Sequence, residues 1–209
     1  PIKKPQYLEP NFSIYNHLQY ITEEEFKNYY SGLNLLRDIM QVSFQEIATH
    51  TFSHYYCLEK GQTVEEFRVD IKKAIEKASK LSISIKSIVF PRNQFNNKYL
   101  KVCKEEGLTS YRGVESIFFQ KSRNQRQLNF FHRLLRLIDS YINISGHNTY
   151  KLKLVEGLVN LPASFFLRPF SKRFSFLESF KIKRLKRAML LAAKKGNVFH
   201  LWWHPHNFG

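Results

Sequence analysis

Short apolar runs alternate with helix-period segments along most of this chain, and that alternation restricts the available folds more than any other feature. Strands alternating with helices pack as a mostly parallel sheet covered by helices. Phe26, Tyr29, Tyr30, Leu33, Leu36 and Ile39 recur at helical spacing and predict a helix over 24–40. Residues 46–49 read as a short strand that runs into His50. Thr63 and Glu66 make a capping-box pattern ahead of Val64, Phe67, Ile71, Ile75 and Ala78, predicting a helix over 63–80. The run 84–90 reads as a buried strand stopped by Pro91. Residues 95–106 read as a helix that stops at Gly107, and 108–112 as a further strand. A basic amphipathic helix is expected over 127–142, and an irregular aromatic stretch over 143–177. Residues 178–195 form a helical pattern ended by Gly196, and 197–203 a last strand. No repeat, low-complexity tract or Gly/Ser linker marks a boundary, so a single domain over 1–209 is expected. In α/β folds the chemistry sits at the C-terminal ends of strands. Three polar clusters fall in such places: His50 to His54, Arg92, and His204.

Composition removes several classes. Apolar residues make up 43% and charged residues 24% of the 209 residues, which excludes a disordered tail. No run of about 18 apolar residues exists, so no spanning helix is expected. Two cysteines, Cys57 and Cys103, are too few for a disulfide framework or a cysteine zinc site and read as buried thiols. The formal net charge of +16 is uneven. Residues 121–209 hold seventeen of the 33 basic residues and three of the 17 acidic ones. That half suits phosphate, an acidic glycan or an anionic membrane face. The run Lys181-x-Lys183-Arg184-x-Lys186-Arg187 reads as a solvated helix face, with nucleic acid the less favoured partner.

The first cluster is His50-Thr51-Phe52-Ser53-His54. Two histidines four apart point the same way if the segment turns helically, and can then share one metal ion, zinc or another first-row divalent cation. No Glu lies between them, which excludes the metalloprotease pattern. The second cluster is Phe90-Pro91-Arg92-Asn93-Gln94, where an arginine just past a strand can orient a carboxylate or hold an anion. The third runs from Phe199 to Gly209 and holds His200, Trp202, Trp203, His204, His206 and Asn207. His204 is placed as a general acid at a strand end. His200 fits a satisfied core histidine. Tryptophan faces beside polar groups suit sugar stacking, although core packing is their commoner use.

These residues resemble the polysaccharide deacetylases (the NodB-homology domain, carbohydrate esterase family four). His50-Thr51-Phe52-Ser53-His54 looks like that family's His-Ser/Thr-x-x-His motif, whose histidines bind the metal. Phe90-Pro91-Arg92-Asn93-Gln94 sits where the family carries an arginine that holds the catalytic aspartate. Leu201-Trp202-Trp203-His204 looks like the closing motif, a hydrophobic strand ending in the acid histidine. The resemblance covers roughly residues 20–209. It implies a distorted (β/α)7-type barrel of the α/β class, a divalent metal such as zinc on His50 and His54, and catalytic roles for His204 and Arg92. It implies sugar contacts from Trp202, Trp203 and Asn207. The implied activity is removal of an N-acyl group from a carbohydrate or lipid-linked glycan, hydrolysing a carbon–nitrogen bond that is not a peptide. The implied location is cytoplasmic, with docking at an anionic membrane as a companion role. The family's Thr-Phe-Asp-Asp motif has no counterpart in residues 1–49, whose one aspartate is Asp38, and Asp139 is the only candidate for a fourth motif. The expectation is a barrel lacking its first strand or strands, and a chain inactive on its own. A degenerate deacetylase domain that binds glycan without turnover is the alternative.

Overall fold

The computed structural model describes residues 3–27, 32–114 and 130–208. The chain is mixed α/β, and its backbone gathers into two compact units, Pro1–Ser110 and Tyr111–Gly209. No helix among the described residues is long and apolar enough to cross a membrane.

The first unit opens with short helical pieces. They are a 3-10 turn at Pro10–Phe12, α1 (Ile14–Leu18) and α2 (Glu23–Glu25), whose N-terminus Thr22 and Glu25 close with a reciprocal capping box. Within the helix expected over 24–40, Gly32 is non-helical and starts a separate α3 (Leu33–Gln41), while residues 28–31 lie outside the described residues. Tyr29 and Tyr30 lie outside the described residues. The sequence period is continuous there, so periodicity alone hides the interruption.

The body of the unit is α4 (Val64–Ser79), β1 (Ser87–Ile88) and α5 (Asn97–Glu105). Thr63 Oγ1 accepts from Glu66 N at 3.2 Å and starts α4, as its sequence position predicts. Asn96 Oδ1 does the same for Lys98 N at 3.0 Å at the head of α5. α5 ends one residue before the Gly107 turn, where φ is 86°. Phe67 and Ile71 on α4 are fully buried with Ile88, Phe90, Leu100 and Cys103. Phe67 stacks on Phe90 with centroids 5.9 Å apart and meets Tyr99 edge-on at 5.0 Å. Burying each such side chain contributes about 1.5–3 kcal/mol. The strand expected over 46–49 contracts to one parallel bridge, Thr49 to Ile88. Thr49 N donates to Ser87 O and Val89 N donates to Thr49 O. The strand expected over 84–90 likewise contracts to β1. Both cysteines are buried free thiols.

β2 (Ser110–Tyr111) is where the chain passes from one unit to the next. The second unit holds α6 (Phe130–Tyr141), β3 (Lys153–Val155), β4 (Leu158–Asn160), β5 (Phe165–Phe166), α7 (Glu178–Lys195) and β6 (Leu201–Trp202). Residues 127–129 of the expected amphipathic helix lie outside the described residues. β3 and β4 form an antiparallel hairpin through Glu156 and Gly157, both at positive φ (49° and 76°). The sequence reading treats this stretch as irregular. β5 runs parallel to β6, pairing Phe165 with Leu201 and Phe166 with Trp202. Gly196 takes the left-handed C-cap at φ 61° and ends α7 where expected.

The basic run on α7 is not one solvated face. Lys181 and Arg184 are buried together with Ala188 and Ala192. Lys181 pairs with Glu178 at 2.5 Å and donates to Arg168 O at 3.1 Å. Arg184 reaches both Asp139 oxygens at 3.3 Å, donates to Ser145 Oγ at 2.9 Å and lies over the Phe165 ring. Asp139 also accepts from Ile144 N and Ser145 N, closing the chain just after α6. Asp139 is therefore tied into a buried clamp between α6 and α7.

Candidate functional site

The His50–His54 segment is not helical. It turns through two left-handed non-glycine residues, Thr51 at φ 66° and His54 at φ 55°. For a β-branched residue this is an unusual conformation, and it persists only where surrounding contacts over-determine it. Here those contacts are specific. Asp70, buried on α4, accepts from Phe52 N at 2.7 Å, Ser53 N at 3.0 Å and Ser53 Oγ through a short bond. Thr51 Oγ1 accepts from Tyr55 N at 2.7 Å. Tyr55 OH donates to Thr63 O, and Tyr7 OH accepts from Tyr56 N.

The turn brings the two imidazoles together by a route other than the helical one expected. Their ring centroids lie 4.8 Å apart at 66°. Two imidazoles on one tetrahedral ion, each nitrogen about 2.0–2.1 Å from it, place their centroids about 5 Å apart. His50 Nδ1 donates to Val89 O at 2.6 Å, which fixes the tautomer and leaves Nε2 as the lone-pair nitrogen. His54 meets the Tyr56 ring edge-on at 5.0 Å. Both histidines keep solvent access. Partial burial and then the nearby Arg92 charge hold the His54 pKa below its usual 6.5. His50, its tautomer fixed through Val89 O, and His54 fit two positions of a divalent-metal site. Among the described residues no group of three or more His, Cys, Asp or Glu side chains gathers.

Arg92 comes to the same place from the end of β1. Pro91–Asn93 form a 3-10 turn in which Arg92 and Asn93 are both left-handed, at φ 52° and 54°. The guanidinium lies 4.3 Å from the Tyr56 ring centroid and 5.3 Å from that of Phe12. Gln94 is fully buried. Its Oε1 accepts from Leu58 N and its Nε2 donates to Glu59 Oε1 at 2.7 Å, tying this turn to the loop after the histidines.

The remaining candidates cluster in the second unit. Trp202 and His204 stand two residues apart at the end of β6, with ring centroids 5.7 Å apart. Phe166 packs on Trp202 at 4.3 Å and faces His204 at 6.1 Å. The Arg112 guanidinium lies 4.5 Å from the Trp202 ring centroid, and burial pushes its pKa down to about 10. Trp203 is 48% exposed. Asn207 is buried, and its Oδ1 accepts from His204 N at 2.5 Å, so it fixes the backbone that carries the imidazole. His200 is the satisfied histidine expected. Its Nδ1 donates to Leu161 O at 3.2 Å and burial lowers its pKa.

Each unit thus assembles its own sequence-predicted residues: His50, His54 and Arg92 in the first, and Trp202, His204 and Asn207 in the second. Sequence reasoning missed Asp70, Tyr56 and Arg112. Asp70 carried a usable signal, because it lies three residues after Phe67 and one before Ile71, on the face of α4 that must be buried. A carboxylate on a core-facing stripe needs buried donors. Compared with known proteins, the chain matches no family model, no curated protein and no solved structure.

Proposed function

We propose that this chain is a metal-dependent carbohydrate N-deacetylase domain acting on a sugar or lipid-linked glycan. The observation that carries the reading is the His50–His54 pair. Its rings are 4.8 Å apart, its turn is forced into left-handed geometry, and its His50 tautomer is locked by Val89 O. Such an arrangement costs conformational energy that simple packing does not require. His50 and His54 would hold the ion, zinc by preference. A bound divalent ion supplies Lewis acidity toward the acyl carbonyl and an acidified water.

In this reading Arg92 orients a carboxylate base and His204 delivers a proton to the departing amine. Trp203 offers a half-exposed face for a sugar ring, and Trp202 backs His204. Asn207 holds the His204 backbone, so the acid is positioned before substrate arrives. The α/β units belong, in the same reading, to a distorted (β/α)7-type barrel. The protein works in the cytoplasm, with its basic half able to rest on an anionic membrane that presents the glycan. A third metal ligand and a base are aspartates in the family it resembles. Asp38 is exposed on α3 and stands in no such motif, so in this reading the chain holds metal and sugar with little or no turnover. The half-exposed Trp203 equally suits a domain that binds glycan without hydrolysing it.

The test is a metal titration followed by NMR. Zinc affinity should fall at least about tenfold in His50→Ala and in His54→Ala. Manganese at the same site should broaden the Trp202 and Trp203 indole signals and the His204 ring signal. Equal zinc affinity in wild type and variants, or broadening confined to the first unit, removes the deacetylase reading. Glycan binding that survives a chelator leaves the non-catalytic domain in its place.

A further inference from the structure

A cavity of about 770 Å³ lies in the second unit, lined by none of His50, His54, Arg92, Trp202, Trp203, His204 or Asn207. Lys151, Lys153, Lys195, Tyr150, Asn160 and Asn197 contribute to its wall, and among the described residues no acidic side chain does. Tyr150 and Val198 form an antiparallel bridge beside it, so the cavity sits at the start of the terminal strand and His204 at its end. Seven residues of extended chain separate Asn197 from His204, up to about 23 Å.

The wall carries charge that the fold does not use. The second unit's ion pairs among the described residues are Lys181–Glu178 and Arg184–Asp139, and none of the three cavity lysines takes part. Three ammonium groups around one concavity, with no carboxylate among the described lining residues, create a positive local field. The wall also carries acceptors in need of donors. Asn160 Oδ1 and Asn197 Oδ1 are buried and have no hydrogen-bond partner among the described residues. Asn197 Nδ2 is committed to Thr149 Oγ1 at 3.0 Å, which points its oxygen away from that contact. Asn160 packs against Gly113 so closely that a Cβ there would come 1.8 Å from Oδ1. An unpaired buried carbonyl costs free energy until a donor reaches it. Both asparagines line the cavity.

We propose that this cavity binds the phosphate ester of a polyhydroxylated group, a sugar phosphate or the same headgroup on a lipid. The phosphate dianion answers the lysines but offers only acceptors, so hydroxyls on the same ligand must satisfy the asparagine oxygens. A neutral sugar leaves the lysines without a counter-charge, and inorganic phosphate lacks the sugar hydroxyls that would reach the carboxamides while the lysines hold the phosphate. The inference does not rest on the deacetylase reading, because none of its residues belongs to that site.

Calorimetric titration of the full chain with N-acetylglucosamine 1-phosphate, N-acetylglucosamine and inorganic phosphate tests it. The sugar phosphate should bind tightest. The combined change Lys151→Gln, Lys153→Gln, Lys195→Gln should weaken it at least about tenfold, the loss expected from one charge-assisted hydrogen bond. Asn197→Ala should weaken the sugar phosphate while leaving inorganic phosphate unchanged. All three lysines are exposed, so the variant should fold, which its circular dichroism checks. The charge-matched control Lys183→Gln, Lys186→Gln, Arg187→Gln, on the exposed part of α7, should bind like wild type. Vesicles of phosphatidylcholine with phosphatidylinositol identify the lipid source if they bind wild type, fail with the lysine variant and are displaced by the soluble sugar phosphate. Equal affinity for inorganic phosphate and sugar phosphate, no loss in the lysine variant, or the same loss in the control overturns the proposal.

Discussion

Replacing Asp70 by alanine removes the carboxylate that ties the histidine turn to α4. Three donors lose their acceptor: Phe52 N, Ser53 N and Ser53 Oγ. Ser53 is 4% exposed, so its two donors have little access to water. Phe52 is 36% exposed, and its amide can recover part of its loss from solvent. At about 1–3 kcal/mol for each buried donor left unpaired, the gross cost is about 3–5 kcal/mol. Burial also pushes the Asp70 pKa up against these hydrogen bonds, so removing the carboxylate returns part of its desolvation cost. The net loss is about 2–4 kcal/mol, a large share of the 5–15 kcal/mol typical of a domain. Urea unfolding followed through the amide signals of α4 should show a midpoint lowered by about 1–2 M at unchanged slope. Asp70→Asn keeps one acceptor and should fall between wild type and alanine. Zinc affinity at His50 and His54 should drop in the same order, by about tenfold or more for alanine. An Asp70→Ala protein with wild-type midpoint and wild-type zinc affinity would show that the turn is held by something other than this carboxylate.

Further outcomes follow from the same geometry. Arg92→Gln removes a positive charge beside His54, so the His54 pKa should rise toward 6.5, read from its ring proton shift against pH. His54 and His200 both have folded pKa values below 6.5, so the unfolded chain takes up more protons as the pH falls through that value. Stability present above pH 6.5 should therefore decline below it, and the decline should be shallower in His54→Gln. Gly196→Ala places a side chain at φ 61° and should cost about 1 kcal/mol in the thermal midpoint of the second unit. Asn207→Ala strips the acceptor from His204 N and should lower that unit's stability by about 1 kcal/mol while mobilising the His204 ring signal.

The sequence was most legible where capping chemistry and apolar period agree. Thr63, Gly107 and Gly196 mark the start of α4 and the ends of α5 and α7 because each satisfies orphan helix-end groups or supplies a left-handed residue. The β3–β4 hairpin escaped because its two-residue turn is Glu156-Gly157. A turn with positive φ at both positions is usually announced by Asn-Gly or Asp-Gly. The strands at 46–49 and 84–90 read longer than they are, since the local pattern does not mark where the ladder hydrogen bonds stop. On α7 the reading inverted. Lys181 and Arg184 face inward because Glu178, Asp139 and Ser145 wait for them, and no local pattern announces partners as distant as Asp139 and Ser145. At the histidine pair the residues were legible but the backbone was not. Helical geometry was expected, and two left-handed residues do the work.

The buried thiols carry a practical consequence. Cys57 and Cys103 are the chain's only cysteines, and both belong to the unit that holds the histidine pair. Burial raises the Cys57 pKa well above its usual value and pushes Cys103 up to about 12, so neither forms the reactive thiolate while that unit is closed. Alkylation should therefore proceed only through opening events, making its rate a native clock for the first unit alone. The tryptophans, both in the second unit, keep separate time.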